Sequence, residues 1–119
     1  MTSTPDPIRV ATIGDIDEGA ALVVDGDVNG TGEDIAVFLS EGRYYAINDI
    51  CTHQYASLAE GWVEDGAVEC PVHSSRFSLC SGRALNLPAT QPEPTHRVEL
   101  RGEEIWLYPG VPSDCVEED

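Results

Sequence analysis

Two short segments hold the side chains best suited to chemistry: Cys51-Thr52-His53 and Cys70-Pro71-Val72-His73, with 16 residues between His53 and Cys70. Each pairs one thiol with one imidazole, so the two half-sites together offer two cysteines and two histidines. A dinuclear iron–sulfur cluster uses such a set in one way, with Cys₂ on one iron and His₂ on the other. Two loops, each giving one ligand to each iron, would clamp the cluster between their tips. A structural zinc site accepts the same donors. Zinc modules usually leave about two to four residues between paired ligands, whereas Cys51 and His53 leave one. They also seldom need a β-domain of this size around them. Burial without any metal is the weakest reading, because four such residues rarely fall into matched pairs by chance.

Something must hold the two loops in place, and the flanking sequence is built for strands. Ile8-Arg9-Val10 and Ala20-Ala21-Leu22-Val23-Val24 are short apolar runs. Ile35 to Leu39 and Tyr44 to Ile47 flank Ser40-Glu41-Gly42-Arg43, which predicts a hairpin. His96 to Leu100 and Glu104 to Tyr108 surround Arg101-Gly102-Glu103 and predict a second. Between Asp25 and Glu33 the Gly/Asp/Asn/Thr-rich sequence predicts a loop too polar for the core. No long segment has the apolar i, i+3, i+4, i+7 spacing of a helix; only Tyr55 to Glu60 could form about one turn. The expected fold is all-β: a small antiparallel sandwich or barrel with an inserted, turn-rich loop region at about 49–94 that contains every candidate ligand. The whole chain, 1–119, is expected to be one domain, with residues 109–119 a frayed acidic tail.

Bulk composition narrows the partners. The 119 residues are 41% apolar, which excludes wholesale disorder. No apolar stretch approaches the about 18 residues of a membrane span. The first residues, Met1-Thr2-Ser3-Thr4-Pro5-Asp6-Pro7, lack both a basic start and an apolar stretch, so a complete chain would stay in the cytoplasm. There are 22 acidic residues against 6 arginines and no lysine, a formal charge of −16. Such a field repels phosphate backbones and argues against nucleic acid. It either attracts partners with basic docking faces or simply maintains solubility.

The paired motifs are those of the Rieske proteins, and the chain resembles that family along nearly its whole length. The likeness continues through Asp49-Ile50, Ala56-Ser57-Leu58, Gly61, Arg76-Phe77, Ser81-Gly82 and Pro88-Ala89. The last two stand where the family has a tight turn and a proline loop covering the cluster. The resemblance implies a Rieske fold and one [2Fe–2S] cluster. Cys51 and Cys70 would bind the inner iron, and His53 and His73 the outer, more exposed one. Thiolates and neutral imidazoles are required, so cluster binding is coupled to pH and folding.

Departures from the pattern point to one branch of the family. Respiratory Rieske proteins carry an extra cysteine in each loop and join the two in a disulfide; here those positions are Ala56 and Val72. They also place a serine and a tyrosine after the last ligand, whose hydroxyls raise the potential. Ser75 matches the serine, but the tyrosine position is Phe77. The potential is therefore expected toward the low end of the Rieske range, about −150 to +300 mV. Ser74, where glycine is frequent, is a further departure.

The chain has no room for a mononuclear-iron catalytic domain. It looks like the ferredoxin component of bacterial multicomponent dioxygenases, which act on aromatic or other hydrophobic substrates. Such a component takes electrons from a flavin-dependent, NAD(P)H-oxidising reductase, gives them to a terminal oxygenase and catalyses nothing itself. The alternative within the family is the small subunit of a nitrite reductase, which often lacks the ligands present here.

The remaining residues have plainer expectations. In a cytoplasmic chain stable disulfides are disfavoured, so Cys80 and Cys115 are expected to be small apolar thiols without a cofactor role. His96 should be a satisfied or exposed histidine. Trp62 and Trp106 read as core or rim. Tyr44 and Tyr45 should point to opposite faces of a strand. Gln54 and Tyr55, next to His53, could belong to a partner-facing rim.

Overall fold

The computed structural model describes residues 6–51, 56–72, 75–86 and 91–115. Within them the chain runs β1 (Ile8–Thr12), β2 (Ala21–Val24), a single helical turn α1 (Gly26–Asn29), β3 (Ile35–Ser40), β4 (Arg43–Asn48), a 3₁₀ turn (Leu58–Glu60), β5 (Trp62–Glu64), β6 (Ala67–Glu69), β7 (Arg76–Ser78), β8 (Thr95–Arg101) and β9 (Glu104–Tyr108). Six strands form one sheet in the order β1-β9-β8-β4-β3-β2, and β5-β6-β7 form a second. Every pairing is antiparallel, as expected of an all-β chain of hairpins, and the large sheet curls nearly into a barrel.

Turn chemistry sets the register. Glu41 and Gly42 both have positive φ, 51° and 79°, which suits a two-residue turn between Ser40 and Arg43. The Glu18 carboxylate braces that turn by accepting from the Glu41 and Gly42 amides. Asp65 and Gly66 repeat the device, with φ of 54° and 75°, between Glu64 and Ala67. This third hairpin was open to reading from its Asp-Gly pair, the usual signature of such a turn.

β3 explains its own unbroken apolar sequence. Ile35 and Val37 face a cluster inside the curled sheet, with Ile16, Val24, Ala46, Ile105 and Leu107. Ala36 and Phe38 face a second cluster between the two sheets, with Ile47, Leu58, Val68, Phe77 and Leu79. A strand covered on both faces has no reason to alternate. The neighbouring tyrosines divide as expected, Tyr45 against the second cluster and Tyr44 against the first.

Three expectations need correction. The 25–33 segment is not excluded from the core: Asn29 is buried, and its amide donates to Val24 O and Glu33 O, both at 2.9 Å. Its carbonyl accepts from the Thr31 amide at 2.8 Å and the Thr31 hydroxyl at 2.6 Å. A polar side chain can be buried when its hydrogen bonds are made. The segment after β9 is not frayed as far as Cys115. Val111 O accepts from the Arg97 amide at 2.7 Å, and Thr95 Oγ1 accepts from the Ser113 amide at 3.0 Å. Finally, Cys80 and Cys115 are not separate thiols but a disulfide. Backbone contacts that hold the tail against β8 bring two residues far apart in sequence within bonding distance.

Candidate metal centre

Two loops leave the sheets through necks built alike. The first follows β4. Asp49 and Leu58 are joined by a 2.7 Å bond from the Leu58 amide, Ile50 and Ser57 form a β-bridge, and the Cys51 amide donates to Ala56 O at 2.9 Å. The second continues the β6–β7 pair. Glu69 faces Arg76, and the Cys70 amide donates to Ser75 O at 2.8 Å. Each neck ends in a cysteine and leaves a tip of four residues, 52–55 and 71–74. His53 belongs to the first tip and His73 to the second; both lie outside the described residues, as do Gln54, Tyr55 and Pro88.

Cys51 and Cys70 are thiols, both buried, and both belong to the apolar cluster between the sheets. Phe77 and Leu79 of that cluster are fully buried and exclude water from the cysteine side. Ser75 is also fully buried, and its carbonyl closes the second neck. Buried thiols at two loop bases, with an imidazole on each four-residue tip, form a donor set suited to a cluster with sulfur and nitrogen ligands.

Asp49 fixes the first loop more firmly than its place in the motif suggests. Its buried carboxylate accepts from the Ser57 hydroxyl and the Ala59 amide, both at 2.9 Å. Its own amide donates to Asp34 O at 2.9 Å. Two glycines close the framework. A Cβ on Gly61 would lie 1.9 Å from Glu69 O, and one on Gly82, whose φ is +78°, would lie 2.0 Å from Glu93 O. Only glycine lets the backbones meet there.

His96 is buried and satisfied. The Gly110 amide donates to Nδ1 at 2.9 Å, so the proton sits on Nε2, which bonds Asn48 Oδ1 at 2.7 Å. Burial lowers its pKa to about 4. With both nitrogens engaged it offers no metal ligand. Trp62 is exposed at the rim of the small sheet, while Trp106 lies under the Arg101 guanidinium, 4.3 Å from carbon to ring centre. Among the described residues no helix is long and apolar enough to cross a membrane.

Twin cysteine–histidine loops on a small antiparallel scaffold are the mark of a Rieske domain, and residues 6–110 match the family described as Rieske [2Fe-2S] domain. The chain belongs to that family; it carries one [2Fe–2S] cluster and serves as an electron carrier. It is 45% identical over 101 residues to the 3-phenylpropionate/cinnamic acid dioxygenase ferredoxin subunit of Escherichia coli (strain K12), covering 84% of this chain and 91% of that protein. Among solved structures it is similar to the ferredoxin of carbazole 1,9a-dioxygenase from Nocardioides aromaticivorans IC177, with TM-score 0.79, 32% identity, and 90% and 99% of the two chains covered. A ferredoxin in a complex of reduced oxygenase and oxidized ferredoxin in carbazole 1,9a-dioxygenase matches with TM-score 0.80, 29% identity, and 89% and 94% coverage.

Proposed function

We propose that Cys51 and Cys70 hold the inner iron, that His53 and His73 hold the outer iron, and that residues 49–94 form the cluster-binding part of one domain. The observation that carries this reading is the pair of matched necks, each presenting a buried cysteine to one apolar cluster. When bound, the cluster takes up and returns a single electron. The protein's part is to present two cysteine sulfurs and two imidazoles as ligands, whose protons cluster binding displaces or excludes, and to hold water off the cysteine side with Phe77 and Leu79.

In this reading the chain works in the cytoplasm. It receives electrons from a flavin-dependent, NAD(P)H-oxidising reductase and passes them to the terminal oxygenase of a system acting on an aromatic or other hydrophobic substrate. The 45% identity to a dioxygenase ferredoxin subunit supports this over the small subunit of a nitrite reductase. The test is His53→Ala and His73→Ala. Wild type should be red-brown, with about two irons and two sulfides per chain. Both variants should lose that content and the visible spectrum. Full retention of the native spectrum in both would overturn the ligand assignment.

A further inference from the structure

Cys80 and Cys115 are bonded across 35 positions of sequence, with their Cα atoms 5.3 Å apart. Separate contacts hold each end. Cys80 lies in the turn after β7, where the Leu79 amide donates to Gly66 O at 2.9 Å and the Ser81 amide to Ser78 Oγ at 3.3 Å. That turn is an extension of the small sheet, whose β6–β7 loop begins at Cys70. Cys115 ends a segment laid along β8 by the Val111 and Ser113 bonds and by an ion pair from Asp114 to Arg97 at 3.6 Å. The bond thus links the sheet that presents Cys70 to the segment laid along β8 of the large sheet. Both cysteines are half-buried, so a dissolved thiol can reach them without unfolding the protein.

We infer that Cys80–Cys115 is a thiol-exchange site, and that its redox state adds to or takes from the hold on the small sheet and the Cys70 loop that the apolar cluster between the sheets already provides. The exchange partner is a dithiol. One of its thiolates attacks a sulfur of the bond and forms a mixed disulfide. The second thiolate displaces the protein sulfur and closes the dithiol's own disulfide. Cys80 and Cys115 leave as two thiols, so two electrons and two protons pass to the protein. A disulfide-class oxidant reverses the exchange. Closed, the bond restricts the unfolded chain and favours the assembled state. Open, the described part of the tail keeps a few partly exposed polar contacts, which hold weakly. A reducing compartment therefore loosens the brace and an oxidising one sets it.

The inference goes beyond the ligand assignment, and a thiol count on the purified holoprotein tests its first half. Alkylation after non-reducing denaturation should label two cysteines, Cys51 and Cys70, and should label all four after dithiothreitol. The second half is read from bleaching of the visible absorbance by an iron chelator. Dithiothreitol should speed bleaching of the wild type about tenfold, a small share of the roughly several-hundred-fold shift in folding equilibrium that loop closure of this length gives. The Cys80→Ser/Cys115→Ser double variant should bleach at that faster rate with or without the dithiol. Four labelled cysteines before reduction would overturn the proposal. So would wild-type bleaching that the dithiol leaves unchanged, a comparison that needs no variant to fold. Equal acceleration of wild type and double variant would mean that the thiol attacks the cluster directly, and would also overturn it.

Discussion

Cys51 and Cys70 occupy equivalent places in two loops: each donates its backbone amide to the carbonyl five residues ahead, at 2.9 Å to Ala56 and 2.8 Å to Ser75. The four residues between those ends differ at every position, with the one histidine of each second in the first tip and third in the second. What the two loops share is a closed neck, which fixes where a cysteine sits and how long the tip beyond it can be. The neck bonds run from backbone to backbone, so they tolerate side-chain change, and the first loop adds a side-chain clamp at Asp49.

Replacing that clamp should be costly. Asp49→Ala leaves the Ser57 hydroxyl and the Ala59 amide without their acceptor, for a loss of about 2 kcal/mol or more. Asp49→Asn keeps one carbonyl oxygen and should lose less. Denaturant midpoints for the three proteins, read together with cluster content, measure it. A midpoint unchanged in the alanine variant would remove Asp49 from the support of the Cys51 loop.

Phe77 offers a test of the electronic environment. It is fully buried in the same apolar cluster as Cys51 and Cys70, opposite Val68 on the neighbouring strand. In Phe77→Tyr the new hydroxyl should reach a ligand sulfur and raise the reduction potential, because a donor stabilises the more negative reduced state. If it finds no acceptor, the cost is about 1–3 kcal/mol of stability with no rise in potential. Voltammetry and a melting curve on one sample separate these outcomes.

The charge of −16 makes a kinetic prediction. If the acidic surface steers a basic partner, the second-order reduction of this protein by its reductase should slow steeply with added salt. Screening acts over about 10 Å at about 0.1 M ionic strength. Stopped-flow rates across a salt series decide it. A flat series would make the acidity a matter of solubility and leave the metal centre untouched.

His96 gives the fold a pH dependence of known sign. Its pKa is lowered from 6.5 to about 4 by burial, so between those values the unfolded chain binds a proton that the folded chain refuses. Stability should be full above pH 6.5 and fall as the pH drops toward 4. His96→Gln should flatten the curve in that window, as measured by chemical denaturation at stepped pH. An equal slope in the variant would assign the loss to other groups.

The hairpins and the twin motifs were legible in the sequence because each is local. Glu41-Gly42 and Gly102-Glu103 announce turns, and Cys-x-His and Cys-x-x-His offer candidate ligands within four residues. What escaped depends on how the chain folds back on itself, over four or five residues at Asn29 and over 35 between Cys80 and Cys115. Asn29 reads as loop until Val24 and Glu33 close around it. Cys80 and Cys115 read as isolated until the tail is laid against Thr95 and Arg97. The two cysteines left over from the motifs were an even number, the one signal that a bridge was available. Asp65-Gly66 was local and in plain view, but it lay inside a stretch whose turn-rich composition masked two three-residue strands.

The double burial of β3 bears on how the molecule comes apart in time. A strand that shields only one core can detach while the other persists. Here, stripping either face of Ile35 to Phe38 exposes residues the other face needs held in place. The barrel interior and the metal-bearing side therefore share one gate to deuterium. The amides of β3 would be among the slowest to exchange, and their rate would report the opening of both halves at once.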